Sequence, residues 1–179
     1  MLFDQRTKIL LDLQRLTGEQ SKTIYDLIKI GLIEHKEFDK LVNEMVKDRF
    51  KKGKAYIEFA SKLNINSPED QAHIVSRNYY GIYHLARATI FHTSRKDTGD
   101  DHGSLPKEFS QTVKIEESIA KSVGKKLAKW RDLRNTIDYS PCTPDDIVSI
   151  CKESVIDAKE ILAICKKYLE ERGVEFEKS

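Results

Sequence analysis

Apolar positions recur every three or four residues along most of the chain. No stretch alternates with period two for long enough to form a strand. Ile147, Ile150, Cys151, Ile156, Ile161, Leu162, Cys165 and Leu169 mark one sloping stripe, which predicts a helix over 144–172. It opens at Thr143-Pro144-Asp145-Asp146, a capping residue, a proline for the first helical position and acidic groups in the first turn, and Gly173 supplies a stop. Ser67-Pro68-Glu69-Asp70 repeats that grammar and starts a helix over 68–95. The polar segment Asp97 to Gly103 reads as a loop. Ser104 then caps a helix through Pro106, Phe109 and Val113 that ends near 118. Val123, Leu127, Trp130, Leu133 and Ile137 form the inward face of a helix over 121–138, which Pro141 and Pro144 close. Upstream, Leu10, Leu11, Leu13 and Leu16 fit a helix that Gly18 ends. Tyr25 to Ile33, then Phe38, Leu41, Val42, Met45 and Phe50 toward Tyr56, Ile57, Phe59, Ala60 and Leu63, continue the helical pattern, with breaks near 31–35 and 53. The class is all-α, a helical bundle.

Composition narrows the setting. The chain has 179 residues, one domain's worth, with 8 Gly and 4 Pro. No apolar run approaches the length of a membrane span, and the charged start lacks a signal-peptide core. The 3 cysteines, Cys142, Cys151 and Cys165, form no CxxC pair and suggest a reducing, cytoplasmic compartment. No metal or cofactor motif is present, so none is expected. The formal net charge is only +2, but it is unevenly spread. Residues 121–142 hold six basic groups against two acidic ones, a local +4, and such a segment suits either a solvated helix face or a phosphate-contacting surface.

Two polar stripes carry the candidate chemistry. On a helix, His73, Arg77, Tyr80, His84 and Arg87 fall at offsets 0, 4, 7, 11 and 14, on one face, while Val75, Tyr79, Ile82, Ala86 and Ile90 turn to the core. Arg131, Arg134, Asn135 and Asp138 form a second stripe beside the apolar Trp130, Leu133 and Ile137. That stripe fits ordinary ion pairing of Arg134 with Asp138, and it equally fits bidentate phosphate binding by arginine.

The stretch SRNYYGIYHLARA, the loop with His102-Gly103 and Phe109, and the closing LRNTIDYSP together resemble the HEPN superfamily (higher eukaryotes and prokaryotes nucleotide-binding) over roughly residues 36–170. The resemblance implies an antiparallel bundle of four to five helices at 36–172, with residues 1–35 as an added helical arm, 173–179 as a tail, and a homodimer. Many HEPN proteins are metal-independent endoribonucleases with an R-x4-6-H motif. Arg134 and Asn135 match its first two positions, but Tyr139 stands where the histidine is expected and no histidine follows. A tyrosine hydroxyl of ordinary pKa is ionised in about one molecule in a thousand at pH 7, a poor general base. His84 or His102 is the available substitute imidazole.

Three functions follow. The first is an RNA- or nucleotide-binding protein of a toxin–antitoxin or defence system, with weak or absent cleavage. It would use Arg134, Asn135 and Tyr139, lined by Arg77, Tyr80, His84, Arg87, His102, Arg131 and Asp138. Its partner in such a module would be a nucleotidyltransferase, whose own G-S…D-x-D pattern is not in this chain. The second is an active metal-independent endoribonuclease that works without the motif histidine, using Arg134, Asn135 and Tyr139. The third is a structural module for dimerisation or docking.

Overall fold

The computed structural model describes residues 8, 9, 12, 13, 15–97, 101–140 and 144–176. It is all-helical, with no strand among the described residues. Leu10, Leu11, Thr143, Pro141 and Cys142, used in the sequence reading, lie outside them.

Gly18 starts a helix, although the apolar pattern before it predicts that it ends one. Thr17 accepts from the Gln20 amide at 3.2 Å, and the Gln20 side chain accepts from the Thr17 amide at 3.0 Å. This reciprocal cap opens α1, Gly18–Lys29. Tyr25 of α1 meets Phe38 edge-on, with ring centroids 5.8 Å apart, which ties α1 to the next helix.

That helix, α2, runs unbroken over His35–Ala60. Phe38, Val42, Met45, Phe50, Ile57 and Ala60 form its buried stripe. The expected break at 53 is absent, because Gly53 serves a close helix crossing. A Cβ there would stand 2.8 Å from the Gly81 carbonyl oxygen, and one on Gly81 would stand 3.0 Å from that of Gly53. Two facing glycines let the backbones approach.

Helix α3, Pro68–Ser94, is the core helix. It starts where the Ser-Pro-Glu-Asp signal placed it, though Ser67 donates to Glu69 instead of capping the backbone. From Ile74 to His92 nearly every residue is buried, as expected of a helix packed on several sides. It contacts α2, the short α4 (Leu105–Thr112), α5 (Glu117–Tyr139) and α6 (Ile147–Glu170). The expected extension of α4 to 118 is cut at Val113, whose backbone is extended.

Helix α6 follows its predicted stripe except at Ile156, which is 65 % exposed. Position 156 falls five residues from both Cys151 and Ile161, off the three-and-four spacing. Ser154, Asp157 and Ala158 take the buried places instead. Asn78 donates to Ser154 at 2.9 Å, and Trp130 Nε1 donates to Asp157 at 2.9 Å. Gly173 ends the chain's last turn at φ +82°, the left-handed conformation that favours glycine. Burial pushes the Cys151 thiol up to about 11 and Cys165 up to about 12, so neither is a ready nucleophile.

Candidate functional site

The crossing of α2 and α3 sets the site. Because Gly53 and Gly81 bring the backbones together, Lys52, Tyr56 and Phe59 of α2 stand beside Arg77, Tyr80 and His84 of α3. Tyr56 stacks on His84 with centroids 5.7 Å apart and planes 7° from parallel, and lies 6.1 Å from Tyr80. The Arg77 guanidinium sits over Tyr56 at 5.5 Å and over Phe59 at 5.7 Å. Phe59 is 50 % exposed, not a core position as its place in the apolar series implied.

The ring cluster continues to the loop before α4. His102 stacks on Tyr83 at 4.2 Å, and a 2.5 Å hydrogen bond joins its Nδ1 to the Tyr79 hydroxyl. Burial, then Tyr83, raises the Tyr79 pKa, so that hydroxyl keeps its proton. His102 is therefore a built-in member of the cluster, not a solvated loop residue. Arg131 of α5 pins the same loop by donating to the Gly103 carbonyl at 3.3 Å.

The second stripe closes over Tyr80. Arg134 donates to the Tyr80 hydroxyl at 2.6 Å and to Asn135 Oδ1 at 3.1 Å, and pairs with Asp138 at 2.6 Å. Its guanidinium lies 5.1 Å from the Tyr80 ring centre and 5.3 Å from that of Tyr139. Tyr139 itself is 75 % exposed. Asp138 also accepts from Ser76 at 2.7 Å, which ties α5 to α3. Thus Tyr80, His102, Arg131, Arg134, Asn135, Asp138 and Tyr139 come together, and the Tyr56–Tyr80 pair joins Arg77 and His84 to them.

Arg87 does not join them, contrary to its place on the predicted stripe. It is buried, donating to the Tyr83 hydroxyl at 2.9 Å and pairing with Asp97 at 2.5 Å. Asp97 also pairs with buried Arg49 at 3.0 Å. The face that is open at Arg77 has closed three turns later, beneath α2 and the turn that follows α3.

The basic excess at 121–142 is largely neutralised within the chain. Lys121 pairs with Glu117, and Lys129 with Glu153. Lys126 pairs with Asp157 at 2.8 Å and Glu160 at 2.7 Å, Arg131 with Asp132 at 2.8 Å, and Arg134 with Asp138. Among the described residues no carboxylate pairs with Lys52 or Arg77. Lys52, Tyr56 and Phe59 are not legible as site residues in the sequence, because the apolar series of α2 reads as core. Their spacing of four and three, with a lysine at the outer end, was the available signal.

His84 is neutral here. Burial first, then nearby Lys52 and Arg49, lowers it from 6.5 to about 3, and burial lowers His92 to about 4. In the unfolded chain both imidazoles return to their ordinary value, so the unfolded state binds more protons between those limits. Stability fully present above pH 6.5 is lost progressively as pH falls toward 3. Urea unfolding should show a lower midpoint at pH 5 than at pH 7. A His84→Phe/His92→Phe variant should show a smaller difference between the two. An unchanged difference would contradict this assignment.

No group of three or more His, Cys, Asp or Glu side chains among the described residues is arranged to hold a metal ion. No described helix is long and apolar enough to cross a membrane. Comparison with family models, curated proteins and solved structures finds no match to this chain.

Proposed function

We propose that this chain is a HEPN-like protein that binds RNA or nucleotides, with weak or absent cleavage. One observation carries the reading. Tyr56, Tyr80, His84 and His102 form a ring cluster, backed by the buried Tyr79 and Tyr83 and edged by Arg77, Arg131 and Arg134. The partly exposed rings offer stacking to bases, and guanidiniums offer hydrogen bonds and charge to phosphates, without any metal. The likeness of SRNYYGIYHLARA and LRNTIDYSP to the HEPN motifs supports the same reading. So does the way both motifs face one cluster. In this reading α2, α3, α5 and α6 with α4 form the antiparallel bundle, and residues 1–35 are the arm. The protein acts as a cytoplasmic homodimer, partnered by a nucleotidyltransferase or another defence-system protein.

Weak cleavage follows from two features. Tyr139 replaces the imidazole of the family motif, and Arg134 is already engaged by Asp138. The test is retention of a labelled single-stranded RNA at low salt. An Arg77/Arg131/Arg134 triple alanine variant should bind about ten-fold or more weakly than wild type. Equal binding would sink the reading.

His102 favours a second reading, an active endoribonuclease. Its imidazole is oriented by Tyr79 and Tyr83 beside the loop that Arg131 holds. RNA incubated with the protein in EDTA decides between the two. Fragments made by wild type and absent with His102→Gln would establish cleavage. Intact RNA would remove it.

A further inference from the structure

We infer that the phosphodiester groups of a single-stranded RNA are held on the α2–α3 face, at Lys52 and Arg77, with a base stacked on Phe59, and not on the basic segment of α5. This rests on the RNA-binding reading and says where the strand runs. Charge already paired inside the chain decides the placement. Arg134 faces Asp138 at 2.6 Å, and Arg131 faces Asp132 at 2.8 Å, so an arriving phosphate must compete with a carboxylate at each. Competing for such a pair gains less than meeting a cation with no carboxylate beside it.

Arg77 is placed differently. Its guanidinium is positioned by the Tyr56 and Phe59 rings, which take none of its N–H donors as a carboxylate would. Its planar fork is thereby oriented and left with donors for a phosphate. Lys52 is exposed and lies one helical turn before Tyr56, so it borders the same stack from the far end. Between them His84 is neutral and adds no charge of its own. Phe59 is half exposed at the outer edge. An aromatic ring that is open on one side, next to two uncompensated cations, suits an unpaired base and its flanking phosphates. A duplex keeps its bases stacked on one another and cannot use that ring.

The experiment is fluorescence anisotropy with a labelled 12-mer oligouridylate from 25 to 300 mM KCl. For single strands the slope of log K against log salt falls by about 0.7 for each phosphate that is no longer neutralised. Lys52→Gln/Arg77→Gln should therefore reduce the slope by about 1.4. Arg131→Gln/Arg134→Gln should reduce it by less than half of that. Phe59→Ala should weaken binding about 5- to 100-fold at every salt concentration, with the slope kept. Arg77→Lys, which keeps the charge, should recover most of the slope, and that recovery separates removal of the charge from misfolding. If RNA binds but the α5 double variant shows the larger drop in slope, or if a duplex of equal length binds as tightly, the inference is overturned while the RNA-binding reading stands. If wild type does not bind at 25 mM KCl, the RNA-binding reading itself fails.

Discussion

Replacing Asp97 with asparagine is expected to lower the free energy of unfolding by about 3–5 kcal/mol, the cost of breaking a buried pair on one side. The carboxylate side chain is 6 % exposed and receives Arg49 Nη1 at 3.0 Å, Arg87 Nε at 3.2 Å and Arg87 Nη2 at 2.5 Å. Both guanidiniums are 9 % exposed. Burial lowers the Arg49 pKa, and Asp97 is the main group that raises it again. Asparagine keeps the shape but removes the charge that bridges the two buried guanidiniums. Urea unfolding followed by circular dichroism reads the loss. The less buried pair of Arg95 with Asp39, 3.1 Å apart, is the control. Asp39→Asn should cost no more than about 1 kcal/mol. Similar losses for the two variants would contradict the buried network.

Gly53→Ala is expected to destabilise the fold by about 1–3 kcal/mol, although alanine is the better helix former by about 1 kcal/mol. At an exposed helical site the propensity gain would win. Here the new Cβ meets the Gly81 carbonyl oxygen at 2.8 Å and Leu85 Cγ at 3.0 Å. The first of these is backbone of a core helix and cannot swing aside. Relief requires α2 and α3 to separate, which also loosens the Tyr56–His84 stack. The variant should therefore lose RNA affinity together with stability. A stabilised protein would mean that the crossing is looser than these distances imply.

What is legible in the sequence follows from how locally each feature is determined. The start of α3 is readable because Ser67, Pro68, Glu69 and Asp70 are adjacent. The end of α6 is readable because Gly173 alone supplies the left-handed residue. The all-helical class needs only the three-and-four spacing. Gly53 is different: a lone glycine in an apolar series reads as a break, and its role depends on Gly81 on another helix. Arg87 fails for the same reason, since its partner Asp97 lies beyond the end of α3 and Arg49 lies on α2.

The candidate site divides in the same way. The two motif stripes, Arg77 to His84 and Arg131 to Tyr139, are visible as helical faces, and they do meet through Tyr80. The α2 contribution is not visible, because Tyr56 and Phe59 are aromatic and read as core until the crossing turns them outward. The segment charge of 121–142 misleads for a physical reason. Lys126 and Lys129 face acidic residues of α6, Lys121 and Arg134 face acids one turn away on α5, and Arg131 pairs with its neighbour Asp132. Charge counted along a chain does not register such pairing.

The most direct test of the central claim is an NMR titration of the protein with a single-stranded oligouridylate, following the ring resonances of Tyr56, Tyr80, His84 and Phe59. The account predicts that these four move in step with RNA concentration, while the Trp130 ring, buried against α6, stays in place. RNA that binds without moving them, or that leaves the whole spectrum unchanged at low salt, would contradict it.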